Sequence, residues 1–184
     1  MSSKNSRMTG SLAPVTKKTH RAIGAMPRLF AGVLLLCASS VVAADNFKAF
    51  TNESFEQIKA SFAGQEFLLG LWSVDCPPCM VEMQLMAELI ELNPDLPYVL
   101  VSTDSIEQRD YSAEYLEDVG LEDKESWMFA DSFVERLRFS IDPNWYGELP
   151  RSYFFDSEHN TQSHSGIVSE ELLSEWFSRP LKFR

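Results

Sequence analysis

Cys76 and Cys79 are separated by two prolines, in the run Trp72-Ser73-Val74-Asp75-Cys76-Pro77-Pro78-Cys79-Met80. Two thiols three positions apart can exchange electrons as a dithiol–disulfide pair, form half of a metal site, or close a small structural bridge. The bridge is the weakest of these, because closing so short a loop removes little chain entropy and adds little stability. A zinc site needs further ligands. There is no second CxxC, and His159 and His164 fall on an expected hairpin without ligand spacing. Copper(I) is the stronger metal reading, since Met80, Met83 and Met86 add soft sulfur beside the two cysteines. The same methionines also fit plain core packing, with Met83 and Met86 on the inward face of a helix.

The flanking residues specify how the thiols are held. Phe67 to Trp72 is almost wholly apolar and short, as a buried parallel strand is. After Pro77 the period changes to that of a helix, with Cys79, Met83, Met86 or Ala87, and Ile90 on one face. Proline suits a first helical turn, where its missing N–H costs nothing. Cys76 is thus expected at the helix cap, where the dipole and unpaired N–H groups favour a thiolate, and Cys79 within the first turn. In that arrangement Cys76 attacks a substrate disulfide and Cys79 resolves the mixed disulfide.

Along the rest of the chain, helices are expected over Glu53–Phe62 (capped by Thr51 or Asn52), Pro77 onward, Ile106–Val119, Phe133–Phe139 after Ser132, and Glu170–Phe177 after Ser169. Strands are expected at Phe67–Trp72, Tyr98–Ser102, Trp127–Ala130 and Ser152–Phe155, with Thr161–His164 pairing as a hairpin. The order α-β-α-β-α-β-α-β-β-α predicts one α/β domain, a central mixed sheet flanked by helices.

Charge divides the 184 residues sharply. Residues 1–44 hold six Lys or Arg and no acid, whereas the remaining 140 hold all 27 acids against ten bases, near −17. Basic residues up to Arg28, the apolar run Leu29–Leu36 and the small residues Val41-Val42-Ala43-Ala44 read as an export signal cleaved after Ala43 or Ala44. The alternative is an uncleaved membrane anchor. Leu29–Ala44 is only 16 residues, short of the roughly 20 a spanning helix requires. Residues 1–44 are therefore expected to be a signal peptide and 45–184 the working domain, periplasmic. With Cys37 lost in the signal, Cys76 and Cys79 are the only thiols left. The acidic domain would repel phosphates, which excludes nucleic acid as a partner.

The stretch Phe67–Glu82 resembles the active-site region of thioredoxin-fold proteins, and most closely the exported TlpA/ResA-like thiol–disulfide oxidoreductases. Trp72 stands at that family's tryptophan, and Glu82 at its acidic position three after the second cysteine. Gly147-Glu148-Leu149-Pro150-Arg151-Ser152-Tyr153-Phe154-Phe155-Asp156 is similar to its G-x-x-P-x-T-x-F-x-D segment, with Gly166 as its later glycine. The resemblance implies a thioredoxin-like fold with a central helix–strand insertion between Ser105 and Ala130. It implies that Pro150 is a cis-proline facing the dithiol, that the Leu149 backbone pairs with a bound client, and that Trp72 lines the client site. No cofactor is implied. Departures from the pattern are Asp75 in place of a second tryptophan, Gln84 where proline is common, and Gly70 where cytosolic thioredoxins keep a buried acid. A carboxylate assisting proton transfer from Cys79 would then be Glu82; the plainer reading of Glu82 is a solvated helix residue.

Direction of electron flow follows from the thiolate. Pro78 removes a donor, Asp75 adds an unfavourable charge, and neither intervening residue is histidine, so the reduced form is expected to be poorly stabilised. That makes a reductant, with a potential nearer roughly −270 mV than about −120 mV. By resemblance, a membrane thiol–disulfide reductant supplies electrons, and oxidised exported proteins, apocytochrome c among them, are clients. A copper(I) metallochaperone and a redox-inert interaction domain are the competing functions.

Overall fold

In the computed structural model, residues 47–184 are described. The expected signal segment, its cleavage site and Cys37 lie outside the described residues. The described residues form six strands and five α-helices, in the order β1 (Lys48–Phe50), α1 (Ser54–Ser61), β2 (Phe67–Trp72), α2 (Pro77–Leu92), β3 (Tyr98–Ser102), α3 (Arg109–Val119), β4 (Glu125–Phe129), α4 (Val134–Ile141), β5 (Arg151–Phe155), β6 (Thr161–Ser165) and α5 (Glu170–Trp176). One turn of 3₁₀ helix, Ile106–Gln108, leads into α3.

The strands form one sheet in the order β1-β4-β3-β2-β5-β6. Its first four strands run parallel, and β5 and β6 are antiparallel to their neighbours. The two-residue side-chain period of a strand sorts the core into two layers. Leu68, Trp72, Tyr98, Leu100, Met128 and Phe154 join the layer under α2, α3 and α5. Phe67, Leu69, Leu71, Val99, Val101, Trp127, Phe129, Tyr153 and Phe155 form the other, against α1 and α4. Burial on both faces explains the unbroken apolar reading of β2 and β3. Trp127, Trp145 and Trp176 are all buried.

Three details differ from the sequence expectation. Strand β1 was not expected: three residues carry no readable period, and parallel pairing with β4 is what makes them a strand. Neither Thr51 nor Asn52 caps α1; Glu53 holds that position, while the Thr51 N–H is tied to the Ser54 hydroxyl at 2.9 Å. Ser132 likewise does not cap α4, whose cap position is Phe133, with its N–H on the Asp131 carboxylate at 2.9 Å. The α3–β4 unit occupies the place of the expected insertion.

Candidate functional site

The site is the junction of β2 and α2. Strand β2 is buried along its whole length and brings the chain out at Trp72. Ser73 to Asp75 make a turn, and Cys76 caps α2 with extended backbone angles. Pro77 and Pro78 follow without N–H groups, so the first amide of the helix is that of Cys79. It donates to the Cys76 carbonyl at 2.9 Å and to Cys76 Sγ at 3.2 Å. The two sulfurs are bonded to each other. Cys76 retains 9% of its surface and Cys79 none, which makes Cys76 the more exposed residue of the pair.

The turn is pinned from below by a residue that the sequence reading missed. Asp104, just past β3, is buried and accepts from the Ser73 hydroxyl, the Val74 N–H at 3.1 Å, the Ser102 hydroxyl at 2.8 Å and the Ser112 hydroxyl at 2.9 Å. The Thr103 N–H reaches the Trp72 carbonyl at 2.9 Å. On the outer side, Gln108 Nε2 donates to Asp75 at 2.7 Å. The 3₁₀ turn ahead of α3 thereby holds the residue next to Cys76.

Glu82, one turn beyond Cys79, is 3% exposed, which overturns its reading as a solvated helix residue. Its carboxyl accepts from the Ser152 hydroxyl at 3.0 Å and from the Val168 N–H at 3.1 Å. Burial pushes its pKa up to about 7, against the lowering pull of those two hydrogen bonds. The i, i+3 spacing puts Glu82 on the same helix face as Cys79. A signal for this burial was present in the sequence. Gly70, Ser102 and Ser152 are small residues at inward positions of otherwise bulky strands, and together they leave room for polar side chains beneath α2.

The proline segment is held separately. The Leu149–Pro150 peptide is cis. Pro150 is buried and its carbonyl accepts from the Gly166 N–H at 2.9 Å. Arg151 anchors the loop ahead of it by ion pairs to Asp142 at 3.2 Å and Glu148 at 3.5 Å, and its guanidinium lies 4.9 Å from the centre of the Tyr153 ring. Gly147 has φ +101, and a Cβ there would come within 2.9 Å of Arg138 Nη1. Leu149, half-buried, packs against both core layers.

Trp72 does not fit the expected client contact. It is 2% exposed, its ring centre 6.0 Å from that of Tyr115, whose hydroxyl donates to the Met80 carbonyl. It supports the site from beneath. Met83 and Met86 are buried in the core layer below α2. His159 and His164 are half-buried: His159 packs edge-on to Phe67 and His164 edge-on to Trp176.

No family model and no curated protein matches the chain. Solved structures do. A thiol:disulfide interchange protein of the thioredoxin family from Chlorobium tepidum is similar at TM-score 0.52 and 21% identity, over 64% of this chain and 80% of its own. A secreted thiol-disulfide isomerase from Corynebacterium glutamicum gives 0.52 and 18%, over 64% and 71%. A secreted Mycobacterium tuberculosis disulfide oxidoreductase, homologous to E. coli DsbE, gives 0.50 and 19%, over 63% and 82%. At these identities the likeness concerns the fold, and the fold is thioredoxin-like, as expected from the sequence.

Proposed function

We propose that the chain is an exported thiol–disulfide oxidoreductase that reduces disulfides in client proteins. The observation that carries this reading is the Cys76–Cys79 pair at the start of α2, with the outer sulfur accepting the first free amide of the helix. The solved structures named above for thiol–disulfide exchange support it, as does the basic and apolar start of the sequence, read as a cleaved signal ahead of a domain from residue 45. Among the described residues, no helix is long and apolar enough to cross a membrane.

The reaction runs in two displacements. The Cys76 thiolate attacks one sulfur of a client disulfide; the Cys76–client bond forms, and the other client sulfur leaves as a thiolate. Glu82 takes the Cys79 proton. Cys79 then attacks Cys76 Sγ, expelling the second client thiolate and closing the Cys76–Cys79 disulfide. Two electrons pass to the client, which binds its two protons. A pKa of about 7 suits Glu82 to this task, since near neutral pH both its forms are present. On the family resemblance, the backbone of Leu149, ahead of the cis-proline Pro150, would pair with the client chain. A membrane thiol–disulfide reductant then restores the dithiol, and apocytochrome c is one candidate client.

The test is the Cys76–Cys79 reduction potential, measured by equilibrating the purified protein in dithiothreitol or glutathione buffers, with insulin reduction as the activity readout. A value below about −230 mV together with insulin reduction is expected. A value near about −120 mV would reverse the direction of electron flow. Absence of any reversible couple would end the redox reading.

A further inference from the structure

Gly70 lies at the centre of the face that β2 turns toward α2, between Leu100 of β3 and Ser152 of β5 in the sheet register. Its bare backbone is covered by Tyr98. A Cβ at position 70 would stand 2.5 Å from the Tyr98 hydroxyl oxygen and 3.1 Å from two ring carbons. Tyr98 begins β3 opposite Leu68, so its ring leans along the sheet to bring the hydroxyl over Gly70. The residue beside Gly70, Ser152, is the one that donates to Glu82. A buried phenol has thus been brought to the polar gap occupied by the Glu82 carboxyl.

We propose that Tyr98 is a positioning residue for Glu82: its hydroxyl fills the side-chain volume that Gly70 leaves empty and supplies a neutral polar group beside which the carboxyl ionises. This rests on the dithiol reading above. Burial, together with the Glu82 charge, pushes the Tyr98 phenol well above its usual range, so it keeps its proton throughout. Ser152 from β5 and the Val168 N–H from the segment before α5 hydrogen-bond Glu82; the Tyr98 hydroxyl comes from β3 to lie over Gly70, the sheet neighbour of Ser152, and Cys79 is one turn earlier on α2. Ser152 and the Val168 N–H favour the carboxylate through direct hydrogen bonds, and on this proposal the Tyr98 hydroxyl, held over Gly70, adds a further dipole in a site where water is scarce. Without the hydroxyl, the carboxylate becomes harder to form, and Glu82 accepts the Cys79 proton only at higher pH.

The experiment uses the reduced purified protein and 5,5′-dithiobis(2-nitrobenzoate). Attack by Cys76 releases one thionitrobenzoate, and attack by Cys79 on the resulting mixed disulfide releases the second. The rate of the second release is followed from pH 5 to 9. The wild-type profile is expected to show a midpoint that Glu82→Gln removes. Tyr98→Phe, which keeps the ring, should move that midpoint upward by roughly half to one pH unit, slowing release several-fold on the acid side. Gly70→Ala, whose new methyl pushes the hydroxyl aside, should shift it the same way. A purely structural loss would lower the rate without moving the midpoint, and would overturn the proposal. So would Tyr98→Phe and Gly70→Ala profiles that superimpose on the wild type, leaving the role of Glu82 intact. A wild-type profile insensitive to Glu82→Gln would remove both that role and this one, and failure to release a second equivalent at any pH would refute the dithiol reading itself.

Discussion

Glu82 ties the chemistry of the site to the stability of the fold. Its folded-state pKa, about 7, lies above the ordinary 4.5. Between those values the native protein keeps a proton that the unfolded chain has released. Stability contributed by this group is therefore full below pH 4.5, declines as pH rises to about 7, and is lost above. A shift of this size corresponds to about 3 kcal/mol. Urea unfolding of the oxidised protein at pH 4.5 and pH 8 should show the wild type losing about that much relative to Glu82→Gln. Parallel losses in the two proteins would mean the carboxyl is not buried as described. A carboxyl that weakens the fold when ionised is a natural consequence of placing an ionisable group where water does not reach.

At the scale of elements, the dithiol turn depends on residues far from it in sequence. Asp104 gathers Ser73, Val74, Ser102 and Ser112 around one carboxylate, so β3 and α3 fix the turn that leads from β2 to α2. Asp104→Ala would strand several buried donors at once, and a loss of about 2–4 kcal/mol in urea unfolding is expected. A loss under about 1 kcal/mol would show that the turn holds without this hub. The strand and helix that carry the cysteines were legible because burial on both faces, the change of period and the proline pair all point the same way. The partners of Asp104 and Glu82 were not legible, since they are joined by strand register across 30 and 70 residues. What the sequence did carry was a hint in parity: Gly70, Ser102 and Ser152 sit inward where a bulky residue is usual. Strand β1 left no such mark.

For the whole molecule, charge is the property most open to a client. The part of the sequence from residue 45 onward is near −17, with a band of exposed acids on and after α3 that includes Glu117, Glu122 and Asp123. Such a field speeds the approach of cationic partners and is screened over about 10 Å at 0.1 M salt. Disulfide-linked peptides flanked by lysine should therefore react faster than otherwise identical glutamate-flanked ones, by roughly tenfold or more at low salt, and the gap should close as salt rises. Stopped-flow rates at several salt concentrations measure this directly. Equal rates at low salt would mean the charge plays no part in encounter.

The two edges of the sheet have a consequence for how copies of the protein meet. One edge ends in β1, only three residues long and bearing Lys48; the other in β6, Thr161-Gln162-Ser163-His164-Ser165, with four of its five residues exposed and none aliphatic. Short length and a lysine are among the features that discourage an edge strand from adding a neighbour's strand, and β6 presents no aliphatic side chain to such a neighbour. Both edges of the described sheet therefore carry features that work against the addition of a strand from another copy.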